Sequence, residues 1–320
     1  MSQVMDQVMS GEANHVQIAA LLTALRIKGE TIDEITAAAK IMRKKVTAIS
    51  ITPPTDSLLL DTCGTGGDGK STFNISTVAA FVIAGAGVKI AKHGNRSVTS
   101  TCGSADLMEA LGVNLNVPVI KTEECINQVN LGFLYAPLFH SAMKHVAPVR
   151  KELGFRTIFN ILGPLTNPAH APAQLLGVFV DHLTETCAQV LKNLGSQHAL
   201  VVHGSDNLDE ITITGETKIS ELVNNAITTY TINPVTLGID LAKPSDLIGE
   251  SIEHNHRITL EILDGKMGAK RNVVLLNSAA GLIAAGKASD FSEGIAVASQ
   301  SIDSGSAKRT LSELVRVTND

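Results

Sequence analysis

The sequence predicts an α/β protein in which a large, mostly parallel sheet covered by helices follows a small helical segment. Residues 58–94 have the order of a buried strand, a glycine-rich loop, an apolar helix and a second strand. Residues 174–203 repeat strand, helix and strand, which is the unit from which parallel sheets are built. The first fifty residues show apolar positions at helical spacing and no strand pattern.

Composition and charge argue against several classes of protein. The 320-residue chain has 44% hydrophobic and 18% charged residues, which is typical of a globular protein. A net charge of −5 without a long basic cluster argues against nucleic acid as the main partner. The four cysteines lack CxxC spacing, so neither a zinc site nor a disulfide framework is indicated. With no signal-peptide pattern and no apolar run long enough for a bilayer, we expect a cytoplasmic protein.

Two amphipathic helices are predicted near the N-terminus. Asn14 can cap the first helix, which Gly29 ends. Thr31 and Glu34 form a capping box at the start of the second helix, and prolines at 53–54 end the region. These helices are expected to form a small module or to dock on a partner subunit.

Helices and strands alternate through the rest of the chain. Ser104 and Thr122 are expected to cap the next two helices. Residues 137–153 are predicted to be helical with a kink or break at Pro148, and residues 157–168 to be a hinge between modules. The other predicted strands are 133–136, 211–214 and 228–232, and the other predicted helices are 183–194, 252–264, 271–286, 290–303 and 306–316.

Two polar loops follow the first two strands. The first contains four glycines within six residues, 64–69, and leads toward a helix. Such a loop frees backbone N–H groups to converge on an anion, most simply a phosphate. The second loop begins at Lys92 and brings positive charge and hydrogen-bond donors. Because the carboxyl ends of parallel strands meet at one edge of a sheet, the two loops predict a binding site there.

Residues 64–71 also satisfy the P-loop pattern GxxxxGK[ST]. A true P-loop runs directly into a helix, whereas residues 72–74 intervene here. Asp68 would put a negative charge inside the phosphate cradle, and no strand ending in a metal-binding Asp is apparent. A P-loop ATPase is therefore the less favoured interpretation of this loop.

An acidic pair, Asp209 and Glu210, follows the strand that ends at residues 203–204. Mg²⁺ prefers one or two carboxylates together with waters and substrate phosphates, so the pair suits a metal beside the predicted phosphate site. Ser76 could add a hydroxyl ligand. A solvated loop without a metal is the alternative, from spacing alone.

These motifs resemble those of the anthranilate phosphoribosyltransferases. The matching segments, GTGGD at 64–68, NIST at 74–77, KHGNRSV at 92–98 and GSAD at 103–106, begin a resemblance that extends to the C-terminus. It implies transfer of the phosphoribosyl group of 5-phosphoribosyl 1-pyrophosphate to the amine of anthranilate, the second step of tryptophan biosynthesis from chorismate. Mg²⁺ is the implied cofactor, and a homodimer joined through the small domain is the implied assembly.

The resemblance also implies a domain division and a set of site residues. The small helical domain would comprise residues 1–56 with a returning piece near 155–172, and the α/β domain residues 57–320, as in the nucleoside phosphorylases and class III phosphoribosyltransferases. The residues implied for phosphoribosyl pyrophosphate are Gly64, Gly67, Asp68, Thr72, Asn74, Ile75, Ser76, Thr77, Lys92, His93, Gly94, Asn95, Arg96, Ser97, Val98, Thr99, Ser100 and Ser104. Those implied for anthranilate are Gly64, His93, Asn95, His140 and Arg150, and those for the metal are Ser76, Asp209 and Glu210.

No nucleophilic side chain is assigned, because the aromatic amine is itself the nucleophile and positioning is its main requirement. The chain departs from the family pattern at residues 101–103, which read Thr-Cys-Gly where Lys-Ser-Gly is usual and so remove one positive charge from the phosphate side. It also has Gly249-Glu250 where the family often shows a pair of glycines. A pyrimidine nucleoside phosphorylase, the nearest rival, should lack the HGNR loop and Arg150. A non-catalytic nucleic-acid-binding relative is disfavoured by the net charge and the intact acidic pair.

Overall fold

A seven-stranded sheet forms the centre of the structure, a computed structural model that describes residues 1–67, 69–97 and 101–320. Its strands are β1 Leu60–Gly64, β2 Ile90–Gly94, β3 Leu131–Tyr135, β4 Ala173–Gly177, β5 His198–Gly204, β6 Thr217–Val223 and β7 Ala226–Ile232. They lie in the order β3-β2-β1-β4-β5-β6-β7. The first five strands are parallel, and β6 and β7 are antiparallel, so the prediction of a mostly parallel sheet is confirmed.

Helices cover both faces of the sheet. Those within the described residues are α1 Ser2–Ser10, α2 His15–Lys28, α3 Ile32–Lys45, α4 Ile75–Gly85, α5 Ser104–Ala110, α6 Val119–Val129, α7 Ala136–Phe139, α8 Ala147–Leu153, α9 Phe159–Leu162, α10 Leu183–Asn193, α11 Ile252–Leu263, α12 Ala269–Ala284, α13 Phe291–Asp303 and α14 Ser306–Asn319. Short 3-10 helices lie at Ser141–His145, Pro164–Thr166, Pro234–Leu237 and Pro244–Leu247. Where the chain is described, no helix combines the length and apolar character needed to cross a membrane.

The two faces of the sheet are buried in different apolar clusters. Successive residues of a strand point to opposite faces, and β4 illustrates this. Leu175 joins the cluster that contains α4 and α12, whereas Leu176 joins the cluster that contains α3 and α10. Burial on both sides explains why the parallel strands are continuously apolar in sequence.

The N-terminal helices begin where their caps predict. The Asn14 side chain accepts a hydrogen bond from the N–H of Gln17 at 3.0 Å, and Thr31 accepts one from Glu34 at 3.2 Å. Helix α1 precedes both and was not expected. All three helices contribute to one cluster, together with side chains of α8, α9 and α10, so the packing of the N-terminal segment extends well beyond its own sequence.

Two expected helix caps are wrong. Ser104 is the first residue of α5, not its cap, and the N–H of Gly103 before it donates to the carboxylate of Asp106 at 2.9 Å. Thr122 lies inside α6, which begins three residues earlier, directly after Pro118. A proline is well tolerated at a helix start because the first N–H groups have no partner within the helix.

Other boundaries also differ from the expectation. β1 runs from Leu60 to Gly64, later than the apolar run at 58–60, because the glycine that opens the loop still pairs with β4. Residues 137–153 form three short helical pieces, with Pro148 in the first turn of α8. Residues 211–214 are not a strand, and the antiparallel pair begins at Thr217.

Candidate functional site

The two polar loops and the acidic pair line one cavity of about 630 Å³ at the carboxyl edge of β1 and β2. Of the residues predicted for the site, those in the cavity wall are Gly64, Gly67, Thr72, Asn74, Ile75, Ser76, Thr77, Lys92, His93, Gly94, Asn95, Arg96, Ser97, Ser104, Asp209 and Glu210. His140 and Arg150 are outside the wall. Asp68, Val98, Thr99 and Ser100 lie outside the described residues. The sequence therefore predicted most of this wall.

The glycine loop turns sharply after β1. Gly66 and Gly67 have φ values of 64° and 74°, a conformation that side chains other than glycine rarely adopt. The N–H of Gly66 donates to Oδ2 of Asp209 at 2.7 Å, so this amide of the loop binds the acidic pair and is not directed at a phosphate. The glycine loop is thus joined directly to the carboxylates across the cavity.

The geometry does not support a P-loop. Helix α4 begins at Ile75, four residues after Ser71. Between them Thr72 pairs with Ile248 in an antiparallel bridge, and the N–H of Gly249 donates to the carbonyl of Ser71 at 2.7 Å. The Gly-Lys-Ser segment is therefore tied to the chain beyond the sheet and does not lead into a helix N-terminus.

Two polar atoms in the cavity wall have no partner among the described residues. Asn74 donates from its backbone to Asn255 at 3.0 Å and from its side chain to the carbonyl of Cys102 at 3.1 Å, which leaves its own Oδ1 buried and unpaired. The hydroxyl of Thr77 is also buried and unpaired. A buried polar group without a hydrogen bond costs roughly 1–3 kcal/mol, so Asn74 and Thr77 border the cavity with hydrogen-bonding capacity that the protein does not satisfy.

The acidic pair stands opposite the start of α4. Oε1 of Glu210 accepts from the N–H of Ser76 at 3.1 Å. Burial, and then the negative charge of Asp209, raise the pKa of Glu210 to about 8, while Lys92 acts in the opposite direction. Two carboxylates that repel one another in this way favour a cation between or beside them.

The donor set fits Mg²⁺. Asp209 and Glu210 supply carboxylate oxygens, and Ser76 supplies a hydroxyl beside Glu210. The described residues contain no group of three or more His, Cys, Asp or Glu side chains that could hold a metal by themselves. Two carboxylates and a hydroxyl suit Mg²⁺, which takes one or two carboxylates and completes its shell with waters and substrate phosphates.

Lys92 is a buried residue of the cavity wall. It is 1% exposed, and its ammonium group donates to the carbonyl of Thr62 and to the hydroxyl of Ser76 at 3.4 Å. Burial lowers the pKa of Lys92, and the negative charges of Asp61 and Glu210 oppose that shift. Its positive charge therefore lies close to Glu210 and partly offsets the negative charge of that carboxylate.

Two buried histidines meet at the other end of the wall. The Nε2 atoms of His93 and His140 lie 3.1 Å apart, so His140 joins the site through His93. Burial lowers the pKa of His93 to about 3 and that of His140 to about 4, so both rings are neutral at neutral pH. The N–H of His93 donates to Asp61 at 3.1 Å, which fixes the backbone at this position.

Arg150 is half-buried, and its guanidinium lies 5.6 Å from the centre of the Phe159 ring. Among the described residues it has no carboxylate partner, and burial lowers its pKa. A partly buried arginine without an acid suits an incoming carboxylate.

Arg96 differs, because Asp106 binds its guanidinium at 2.9 Å and Glu109 at 2.6 Å, with the Tyr135 hydroxyl at 3.1 Å. Its charge is used to hold the loop that follows β2.

Sequence reasoning missed three features of the site. Arg156 and Asn160 line the cavity, and the Arg156 guanidinium lies 4.5 Å from the centre of the Phe179 ring. Gly177, at the end of β4, leaves room for Asp209, because a Cβ there would lie 1.6 Å from the Asp209 carbonyl oxygen. The available signal was the arginine just before the predicted hinge at 157–168.

Comparisons with known proteins agree with this geometry. Models of the glycosyl transferase family match the chain twice, its helical bundle domain at residues 1–46 and its a/b domain at residues 56–308. An anthranilate phosphoribosyltransferase of Acetivibrio thermocellus is 54% identical over 99% of this chain and 91% of its own length. That of Symbiobacterium thermophilum is 53% identical over 98% and 92%. The chain belongs to the anthranilate phosphoribosyltransferase family.

Anthranilate phosphoribosyltransferases are glycosyltransferases that perform the second step of tryptophan biosynthesis, so the predicted family, enzyme class and reaction are confirmed. The Thermus thermophilus enzyme has the same fold, with a TM-score of 0.94 at 42% identity over 100% of this chain and 94% of that chain. A Saccharomyces cerevisiae structure in complex with PRPP and Mg gives a TM-score of 0.88 at 32% identity over 95% and 85%. Another yeast structure of the family contains 4-fluoroanthranilate.

Proposed function

We propose that the cavity at the carboxyl edge of β1 and β2 is where this anthranilate phosphoribosyltransferase binds phosphoribosyl pyrophosphate with Mg²⁺ and joins it to anthranilate. The observation that carries the proposal is the shared wall: Asn74 and Thr77, which each have a buried unpaired polar atom, line the same cavity as Asp209 and Glu210. A substrate that carries both hydroxyl donors and anionic groups, and that brings a cation, would suit both sides together.

Phosphoribosyl pyrophosphate is placed against the loops that follow β1 and β2. Supporting residues are those of the predicted set that line the cavity, from Gly64 to Thr77, from Lys92 to Ser97, and Ser104. Asp68, Val98, Thr99 and Ser100 remain proposed on the motif alone. Where the usual lysine is replaced, Thr101 donates to the carbonyl of Gly249 at 3.3 Å, so this position braces the loop and supplies no charge.

Asp209, Glu210 and the Ser76 hydroxyl are the proposed Mg²⁺ ligands. Mg²⁺ would offset the negative charge that develops on departing pyrophosphate. The protein holds both carboxylates in place: the N–H of Gly66 binds one oxygen of Asp209, and the N–H of Ser76 binds one oxygen of Glu210.

The residues proposed for anthranilate are Gly64, His93, Asn95, His140 and Arg150. Arg150 would bind the carboxylate, and its lack of an acid partner among the described residues supports this. The two neutral imidazoles would line the path of the aromatic ring without repelling a neutral amine. The amine attacks the anomeric carbon as pyrophosphate leaves, and the wall's contribution is orientation of the two substrates.

We also propose a homodimer and a cytoplasmic location. The proposed domains are a small helical domain of residues 1–56 with a returning piece near 155–172, and an α/β domain of residues 57–320. Helix α2 exposes Val16 by 78% and Ile27 by 81%, and these residues lie three turns apart on one face, which supports a contact between copies. The joint burial of the N-terminal helices with Phe159 supports the returning piece. A cytoplasmic location follows from the biosynthetic role.

The test removes both metal-binding charges. Asp209→Asn with Glu210→Gln keeps the shapes of the side chains and is expected to abolish turnover, measured as loss of anthranilate fluorescence on addition of phosphoribosyl pyrophosphate and Mg²⁺. Circular dichroism should show an intact fold. Near-normal rates at saturating Mg²⁺ would disprove the metal assignment. Ser278→Ala, a buried change on α12 away from the cavity wall, is the control.

A further inference from the structure

A buried amide on α12 holds the backbone directly after the acidic pair. Oδ1 of Asn277 accepts from the N–H of Ile211 at 2.9 Å, and its Nδ2 donates to the carbonyl of Ile211 at 2.8 Å. Nδ2 also donates to the carbonyl of Val273, one turn earlier, at 2.9 Å. Both Asn277 and Ile211 are 0% exposed.

Among side chains, an amide is the group that can make this pair of bonds. The N–H and the carbonyl of Ile211 are a donor and an acceptor that solvent does not reach, so each needs a partner. In a strand the partners would come from a neighbouring strand, but residues 205–216 have left the sheet between β5 and β6. Asn277 substitutes for the missing strand, since an amide offers a donor and an acceptor side by side.

Other bonds shape this segment or hold its carboxylates. The Asp206 carboxylate accepts from the hydroxyls of Thr212 at 2.8 Å and Thr214 at 2.6 Å, and from the N–H of Leu208 at 3.2 Å. The carboxylates of the acidic pair are bound by the N–H groups of Gly66 and Ser76. Asn277 instead ties the backbone directly after the pair to α12, which packs along β4, β5 and α4 and is buried over most of its length.

We propose that Asn277 is a positioning residue for the metal site. Through the backbone of Ile211, it sets where the carboxylates of Asp209 and Glu210 stand relative to the glycine loop and to Ser76. This inference rests on the proposed Mg²⁺ role of the acidic pair. Such indirect partners of metal ligands are worth about 10- to 100-fold in metal affinity.

The experiment compares Asn277→Ala with Leu276→Ala. Both residues are 0% exposed on α12, so both variants lose stability, but only the first loses the bonds to Ile211. Two readouts are taken without turnover: amide hydrogen exchange over residues 206–214, and calorimetric titration with phosphoribosyl pyrophosphate and Mg²⁺ in the absence of anthranilate. Asn277→Ala is expected to speed exchange at Ile211 and to weaken binding about tenfold.

Leu276→Ala should leave the binding constant within about twofold of the unmodified enzyme, because it keeps both bonds between Asn277 and Ile211 and so should not couple to the acidic pair. Equal weakening in the two variants, or unchanged binding in Asn277→Ala despite faster exchange, would overturn the inference. If Asn277→Ala does not fold, Asn277→Ser is measured against the same predictions, since its hydroxyl keeps one polar group in the core but cannot span both bonds.

The double variant Asp209→Asn with Glu210→Gln separates this inference from the proposed function. If it binds phosphoribosyl pyrophosphate and Mg²⁺ as the unmodified enzyme does, the metal assignment fails and the inference fails with it. If it binds much more weakly while Asn277→Ala does not, the metal assignment stands and only the role of Asn277 is refuted. Weakening in both, with Leu276→Ala unaffected, supports the two together.

Discussion

Gly177→Ala tests whether the position of Asp209 depends on a glycine at the end of the neighbouring strand. Gly177 ends β4 and pairs in register with Gly64 at the end of β1. A Cβ on Gly177 would lie 1.6 Å from the Asp209 carbonyl oxygen, whereas real Cβ atoms essentially never come within 3.0 Å, so Asp209 must move by about 1.4 Å. A misplacement near 1 Å can cost about a hundredfold in rate, and overpacking costs about 1–3 kcal/mol of stability.

We therefore expect kcat/KM for phosphoribosyl pyrophosphate to fall about a hundredfold or more while the fold persists. Gly64→Ala should be milder, because its nearest neighbour is the movable Asp209 side chain at 2.4 Å and not the backbone. Gly163→Ala is the control, since its Cβ would meet only the Phe159 carbonyl at 3.9 Å. Steady-state kinetics and thermal melts are run on all three. A Gly177→Ala enzyme with unchanged kcat/KM would refute the reasoning.

Three further predictions concern residues in the wall and beside it. Arg150→Ala should raise KM for anthranilate roughly ten- to a hundredfold, since a guanidinium–carboxylate pair is worth about 1.5–3 kcal/mol; a raised constant for phosphoribosyl pyrophosphate alone would reassign Arg150. Lys70→Ala should keep phosphoribosyl transfer within about tenfold, because an exposed charge contributes at most about 1 kcal/mol; ATP hydrolysis that disappears with Lys70 would restore the P-loop interpretation. The pKa values of His93 and His140 in the folded protein, about 3 and about 4, lie below the usual 6.5. Between these low values and 6.5, the unfolded chain therefore binds more protons than the folded protein does. The free energy of unfolding should fall as pH falls through that window, and urea melts at several pH values should show a smaller slope for His140→Gln.

Much of the fold could be predicted from local chemistry. The caps at Asn14 and Thr31 and the apolar strand–helix alternation depend on neighbouring residues, and these expectations are confirmed. The error at 211–214 has a different origin. Ile211 alternates with Thr212 as in a strand, but their hydrogen-bond partners, Asn277 and Asp206, lie outside residues 211–214. A pattern of alternation cannot show which partner satisfies the backbone.

The same limit applies to the site. Motifs with unusual composition, such as the glycine loop and the acidic pair, are visible in sequence because few other uses require those residues. Gly177 is not, since its requirement arises only from the Asp209 backbone that folds across it. Arg156 was missed because its one signal, a position just before the predicted hinge at 157–168, does not by itself distinguish an arginine on the cavity wall from one in solvent. Residues whose role is set by distant segments need the structure.

The missing lysine at position 101 raises the question of which charges remain for the anionic substrate. Lys92 lines the cavity, but its ammonium group is bound to the Thr62 carbonyl and faces the acidic pair. The Arg96 guanidinium is held by two carboxylates. Arg156 lines the wall with a ring contact to Phe179 and, among the described residues, no acid partner. Lys70 is the fourth cation of the wall. With Lys92 and Arg96 engaged elsewhere, neutral donors and the metal would share the recognition with Lys70 and Arg156, which agrees with a binding loop built from glycine amides and hydroxyls.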